Sequence, residues 1–357
     1  MTTRIVLADD SLLARRLLKD MLHGVDGIEV VAEAADGMQA VELTRSLAPD
    51  LVVMDLLMPV LDGLDAIEEI MSQSPTPVLV LSGNVEANEV DRAFAAIKRG
   101  ALDVMEKPLL EDEATLSLFA RTLREKILFL SRIRVIRHPR RRMRLPEVIA
   151  SPHGGAGHTI LAIGASTGGP KAVMRLLKSL PAGFPATVFV VQHIAPGFAR
   201  GFAKWLDREC ALPVTTARDG AACGTGQVLV APDGSHLTLD NGTIRLVDTP
   251  PVNCCRPSID VFFLSLARQR CDHIVAVLLT GMGKDGAQGM LRIREAGGTT
   301  IVQDEPSCAV FGMPKAAINL DAVDRVVPLD LIPAVLERLF GEARPDPSSG
   351  ASAPNLT

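Results

Sequence analysis

Short apolar runs alternate with amphipathic stretches from Arg4 to about Leu130, and the same rhythm restarts at Thr159. A chain written this way is confined to parallel sheets with helices on both faces, and ligands bind at the carboxyl ends of such strands. In the first block, residues 5–8, 28–32, 51–54, 77–81 and 101–105 read as strands, with helices over 11–22, 38–47, 63–71 and 86–98 between them. In the second block, residues 160–163, 186–191, 227–231, 237–239, 243–247, 274–279 and 299–303 read as strands, with a short one at 326–327. The expected fold class is α/β, with two doubly wound parallel-sheet domains joined by a linker. A chain of 357 residues is long enough for each to bury its own core.

Composition narrows the class further. Hydrophobic residues make up 47% and charged residues 22%, which suits a globular protein in water, and no apolar run reaches membrane-spanning length. The net charge of −5 and the 3% of aromatics, with no Tyr, disfavour a nucleic-acid grip or a base-stacking platform. The six cysteines, Cys210, Cys223, Cys254, Cys255, Cys271 and Cys308, form no Cys-x-x-Cys pair, so reduced thiols are expected rather than a zinc site or disulfide framework. The N-terminus lacks the apolar length of a signal peptide, and a cytoplasmic protein is expected.

The informative residues of the first block fall at its strand ends. Asp9 and Asp10 follow the first strand, Asp55 the third, Ser82 the fourth and Lys107 the fifth. Three carboxylates converging on one edge repel one another unless they share a hard cation, and Mg²⁺ with retained waters suits such an oxygen site. A carboxylate there can attack a phosphoryl group while the cation and Lys107 stabilise the transferring oxygens. The plainer reading, that acids end strands and cap helices (Asp10 that of the Ser11 helix), covers one or two of these positions but not all five.

At these residues the chain resembles the receiver domain of bacterial response regulators. The matching residues are Asp9-Asp10-Ser11, Asp55 with Met58-Pro59 and Asp62-Gly63, Leu81-Ser82-Gly83 and Lys107-Pro108. The resemblance implies a flavodoxin-like fold over residues 1–122 and phosphorylation of Asp55 by a sensor histidine kinase. It implies Mg²⁺ held by Asp10 and Asp55 with Asp9 assisting and the Leu57 carbonyl completing the protein ligands, and Ser82 and Lys107 as switch residues. Two departures stand out. Leu57 replaces a frequent acidic residue, which a carbonyl ligand survives, and Val104 stands where many receivers carry a rotating aromatic.

Ten basic residues between Arg121 and Arg144 face the lone Glu125, and Gly and Pro are frequent from 151 to 157. Helical spacing persists to about Ile136 and His138-Pro139 stops it, so residues 123–155 read as a basic hinge, with a nucleic-acid arm as the alternative. Residues 342–357, rich in Pro, Ser and Ala, are expected to be a disordered tail.

The second block carries its chemistry at strand ends too. The run at 160–163 breaks into Gly164-Ala165-Ser166-Thr167-Gly168, and helical spacing resumes at Lys171. Glycines two before and two after a serine let such a turn tighten until the hydroxyl projects from the sheet, beside N–H groups able to meet a developing negative charge. A phosphate loop or an ordinary glycine-rich turn fits these residues as well. His193 follows the next strand, and Asp285 lies in the glycine-flanked loop after the strand at 274–279. Together these supply a nucleophile, a base and an acid that orients the base. Their order, Ser, His, Asp, disfavours the α/β-hydrolase fold, where the acid precedes the histidine. The other histidines lie at a helix end, in the linker region, beside a hairpin turn or, for His273, near the start of a buried strand, and none directly follows a buried strand next to Ser166.

Gly164–Gly169, Gln192-His193, Leu279–Gly286 and Val310–Pro314 resemble the catalytic domain of chemotaxis protein-glutamate methylesterases, and Arg256–Asp260 is similar to a further segment. The resemblance implies a Rossmann-like three-layer domain over residues 156–341. It implies hydrolysis of glutamyl methyl esters on methylated chemoreceptors, with deamidation of receptor glutamines, and no cofactor for that chemistry. Ser166 would be nucleophile, His193 general base and Asp285 orienter, with Met282 and Thr167 serving the oxyanion. The implied partners are chemoreceptors and a chemotaxis histidine kinase, with no nucleic acid and no membrane insertion. A DNA-binding output lacks a recognition-helix pattern. A catalytically dead scaffold sits poorly with the intact Ser, His and Asp, and a dinucleotide-binding domain lacks the acidic residue about twenty positions after the glycines.

Overall fold

The computed structural model describes residues 2–24, 27–83, 87–108, 113–133, 159–269 and 273–341. Most of the basic hinge and the whole tail at 342–357 lie outside the described residues.

In the first half the elements run β1 (Thr3–Ala8), α1 (Leu12–Leu22), β2 (Ile28–Ala34), α2 (Gly37–Leu47), β3 (Leu51–Asp55), α3 (Gly63–Gln73), β4 (Val78–Ser82), α4 (Ala87–Arg99), β5 (Asp103–Glu106) and α5 (Glu113–Leu130). The strands form one parallel sheet in the order β2-β1-β3-β4-β5. The order in which strands are added to the sheet reverses between β1 and β3, so the residues after these two strands face a crevice. Side-chain caps start the helices: Ser11, rather than Asp10, accepts from the Ala14 N–H, Asp36 caps α2, and Asp62 caps α3. The boundary at 122 falls inside α5, which runs on to Leu130. Leu123, Ile127 and Leu130 are buried on the first sheet, and this apolar stripe carries the helix beyond the expected domain edge.

The second half runs β6 (Thr159–Ala165), α6 (Gly169–Lys178), β7 (Thr187–Gln192), α7 (Ala199–Glu209), β8 (Val214–Thr216), β9 (Gln227–Val230), β10 (His236–Asp240), β11 (Thr243–Val247), α8 (Ile259–Leu266), β12 (His273–Leu278), α9 (Ala287–Glu295), β13 (Thr299–Gln303), α10 (Met313–Asn319), β14 (Arg325–Val327) and α11 (Ile332–Gly341). Seven strands form a parallel sheet in the order β14-β13-β12-β6-β7-β9-β8, and β10 pairs with β11 as a separate antiparallel hairpin. The central strands are buried along their length, as the apolar runs require. Here the order of strand addition reverses between β6 and β12.

The two halves share a hydrophobic core through α4, which packs against α7 and α6. Phe94 stacks on Trp205 with ring centroids 5.3 Å apart and meets Phe198 edge-on and Phe202 at a tilt. Lys98 pairs with Glu209 at 2.5 Å and Arg208 with Asp91 at 2.6 Å at the margin. Gly201 permits this approach: a Cβ there would lie 1.9 Å from Val90 Cγ1, so any side chain would push the helices apart.

Candidate functional sites

The first candidate site is the crevice beyond β1 and β3. Asp9, Asp10 and Asp55 offer carboxylate oxygens within 4.8 Å of one another, and Asp9 and Asp55 are buried while Asp10 is exposed. Lys107 Nζ lies 2.7 Å from Asp9 Oδ2 and 3.0 Å from Asp55 Oδ2. Burial pushes the Asp55 carboxyl up from its ordinary value, and the Lys107 ammonium only partly offsets this. Burial also opposes the Lys107 charge, but the Asp55 and Asp9 carboxylates outweigh it and hold that ammonium above its usual range. One lysine against three carboxylates leaves net negative charge, which fits a divalent hard cation.

A cleft of about 280 Å³ opens here, lined by Asp10, Asp55, Leu56, Leu57, Ser82, Gly83, Arg92 and Lys107. The Leu57 side chain is half exposed. Arg92, which sequence reasoning did not single out, reaches from α4 to the Leu56 carbonyl at 3.2 Å and to Asp62 at 3.1 Å. Val104 lies half-buried on β5 against the shared core.

The second candidate site lies at the β6/β12 reversal. Gly168 takes φ +73 after the turn, and a Cβ would fall 2.5 Å from the Ala309 side chain, so glycine lets the chain swing from β6 into α6. The Ser166 N–H donates to the Thr280 carbonyl at 3.0 Å, tying the β6 end to the β12 end. The His193 N–H donates to the Ala165 carbonyl, and Gln192 Nε2 donates to both the Ser166 and His193 carbonyls at 2.8 Å. The three strand ends are therefore laced by backbone bonds. Among the described residues the N–H groups of Thr167 and Met282 donate to no other group.

His193 Nε2 lies 2.8 Å from Asp285 Oδ2. Asp285 is buried and also accepts from Ser258 Oγ at 2.8 Å, Asn253 Nδ2 at 2.9 Å, and the N–H groups of Ile259 at 2.7 Å and Asp260 at 3.2 Å. Burial would raise this carboxyl, but the hydrogen bond and charge of His193, then Asn253 and Ser258, bring it down to about 2. On the imidazole, burial opposes the proton, while Asp285 and then Cys255 favour it and raise the pKa to about 9. A ring gripped at Nε2 presents Nδ1 outward. Cys255 Sγ stands there at 3.5 Å, and among the described residues Ser166 Oγ makes no direct hydrogen bond to the ring.

Sequence reasoning missed Asn253 and Cys255 as site residues, and it marked Ser258 only as part of the Arg256–Asp260 segment, with no role. A signal for Ser258 was present, because a serine directly before the apolar run of α8 is an N-cap, and its Oγ does accept from Val261. Asn253 and Cys255 sit in an irregular segment where no periodicity marks them. His236 is fully buried, accepting from the Ser258 N–H at Nδ1 with Nε2 near the Pro250 carbonyl, and so braces this segment.

The CheB methylesterase family model matches residues 161–336, and the response regulator receiver domain model matches residues 5–118. A protein-glutamate methylesterase/protein-glutamine glutaminase of Anaeromyxobacter dehalogenans is 47% identical over 337 residues, covering 94% of this chain and 96% of the relative. Its counterpart in Myxococcus xanthus is 40% identical over 342 residues, covering 94% of this chain and 97% of the relative. The crystal structure of the Thermotoga maritima CheB methylesterase catalytic domain is 39% identical and covers 52% of this chain and 100% of its own, with a TM-score of 0.49. The chain belongs to the CheB methylesterase family and carries a response regulator receiver domain.

Proposed function

We propose that the chain hydrolyses glutamyl methyl esters on chemoreceptors, and deamidates receptor glutamines, by a Ser166-His193-Asp285 triad that phosphorylation of Asp55 unmasks. The observation that carries the esterase reading is the Asp285-held imidazole of His193 on the same sheet edge as Ser166. Asp285 fixes the Nε2–H tautomer, so Nδ1 is the nitrogen that accepts the serine proton. Ser166 Oγ attacks the ester carbonyl carbon as its proton passes to Nδ1. The Met282 and Thr167 N–H groups meet the oxyanion. The imidazolium then returns the proton to the methoxy oxygen, methanol leaves, and water, activated at Nδ1, hydrolyses the acyl-serine to free glutamate. With an amide substrate the same steps release ammonia.

In the receiver, Asp9, Asp10 and Asp55 would hold Mg²⁺ with the Leu57 carbonyl. The bound ion would supply charge neutralisation of the transferring phosphoryl oxygens. Asp55 attacks the phosphorus of a kinase phosphohistidine, the P–N bond breaks and the kinase imidazole leaves, and Ser82 and Lys107 close on the new phosphoryl group. With Val104 in the aromatic position, α4 itself is the transmitting element. Its Arg92 touches the phosphorylation crevice, and its Val90 and Phe94 touch α7, the helix that follows the His193 loop. The docked state hinders approach of a receptor helix to Ser166, and phosphorylation shifts the equilibrium away from it. One phosphoryl group can do this if docking is favoured by only a few kcal/mol.

The test compares methanol release by the full chain with that of a fragment beginning near Ala156. The fragment should be the faster, and acetyl phosphate with Mg²⁺ should raise the full chain towards it and leave the fragment unchanged. A folded fragment no faster than the unphosphorylated chain would mean that the receiver activates directly.

A further inference from the structure

Cys255 belongs to no step above, yet its thiol stands where Ser166 must deliver a proton. We infer that His193 and Cys255 form an inhibitory site for a borderline-soft divalent cation of the zinc class, bound between Nδ1 and Sγ. Tetrahedral zinc takes an imidazole nitrogen at about 2.0–2.1 Å and a thiolate at about 2.3 Å, which places the two donor atoms about 3.5–3.6 Å apart. The observed Nδ1···Sγ separation is 3.5 Å. The pair therefore already spans the bite such an ion requires.

The surroundings fit a metal-bound histidine in a second way. Imidazoles that ligate metals donate their other N–H to a carboxylate, which fixes the tautomer and makes the ligating nitrogen more basic. Asp285 makes that bond to Nε2, and is itself held by Ser258, Asn253 and two backbone N–H groups. His193, Cys255 and Asp285 group as donors within 4.8 Å of one another, but Asp285 lies on the far ring nitrogen, so it supports the site rather than ligating. His193 and Cys255 are both partly exposed, which leaves a path for the ion and for water in the remaining positions.

Binding requires a thiolate and an imidazole unprotonated at Nδ1, so it releases the thiol proton and any proton on Nδ1 to solvent and leaves every oxidation state unchanged. It also occupies the nitrogen that Ser166 needs, so metal and substrate turnover exclude each other. Donor chemistry keeps this site separate from the receiver crevice: oxygen donors suit Mg²⁺, and thiolate with imidazole suits zinc. The inhibitory consequence rests on the proposed role of His193, whereas the metal site stands on geometry alone.

The experiment uses the full chain in buffer saturated with Mg²⁺ and reads two quantities. Co²⁺ titration should produce a thiolate-to-cobalt charge-transfer absorption that is present in wild type and in Ser166→Ala and lost in Cys255→Ser. Zn²⁺ should inhibit methanol release reversibly on chelation, with the half-inhibiting concentration at least tenfold higher for Cys255→Ser, each protein being scaled to its own metal-free rate. An absorption band that survives in Cys255→Ser assigns the metal to another thiol and overturns the proposal, as does equal zinc sensitivity of the two proteins. If wild type released no methanol at all, the esterase reading would fall, and the cobalt band would still decide the metal site.

Discussion

Both halves place a buried aspartate at the reversal of a parallel sheet, and they treat it in opposite ways. Asp285 is surrounded by donors: His193, Ser258, Asn253 and two backbone N–H groups bring its carboxyl down to about 2. Asp55 has Lys107 and one bond from the Leu56 N–H, shares its crevice with Asp9 and Asp10, and is pushed up by burial. A carboxylate whose acceptor sites are filled can orient a neighbour but has little left to react with. One that is buried with few donors gains by acquiring a cation or a phosphoryl group. The same address in the two sheets thus holds one aspartate filled with donors and one with few, and the proposed roles of orienter and nucleophile follow that donor count.

The largest effects are expected at the two proposed reacting groups. Asp55→Asn should abolish labelling by acetyl phosphate in Mg²⁺, read by phosphoprotein electrophoresis, and labelling at the wild-type rate would move the acyl phosphate elsewhere. Ser166→Ala should lower methanol release by on the order of 10⁵–10⁶-fold in a folded protein. Retention of a tenth of the activity would remove Ser166 from the mechanism. Asp285→Asn should cost about 10⁴-fold in kcat through loss of the tautomer, a far larger effect than an aspartate that merely shapes a loop would show.

Smaller effects are expected at the supporting residues. Ser258→Ala removes one donor to Asp285 and should cost about tenfold in kcat, the equivalent of roughly 1.4 kcal/mol for a hydrogen bond to a charged group. A loss of KM alone would contradict a positioning role. The smallest expected effect is the shift that Cys255→Ala brings to the pH profile. With the His193 pKa raised to about 9, the neutral base that the reaction needs is scarce at pH 7, so kcat should climb as pH rises towards 9. Cys255 is among the groups that raise this value, after Asp285, so Cys255→Ala should move the climb to lower pH, and an unchanged profile would argue against that contact.

Much of this architecture is legible in the sequence because parallel strands announce themselves as apolar runs and chemistry collects at their ends. Asp9, Asp55, Ser82, Lys107, Ser166 and His193 each stand at or directly after such a run. The three-residue edge strand β8 escaped notice, being too short for any period to register. Asn253 and Cys255 escaped because they reach the site through an irregular segment, where only the folded chain reveals proximity. The role of α4 was hidden for another reason. Its amphipathic pattern is that of any surface helix, and only Val90 against Gly201 and Phe94 against Trp205 show that its outer face is covered by the other half of the same chain.

On the proposed mechanism, Ser166 chemistry in the second half answers to Asp55 in the first. The most direct measurement is methanol release from a methylated chemoreceptor by the full chain, with Mg²⁺ present, before and after acetyl phosphate is added. The rate should rise with the phosphodonor in wild type and stay at the unstimulated level in Asp55→Asn. An equal rise in Asp55→Asn, or no rise in a wild-type protein shown to be phosphorylated, would contradict the proposed mechanism.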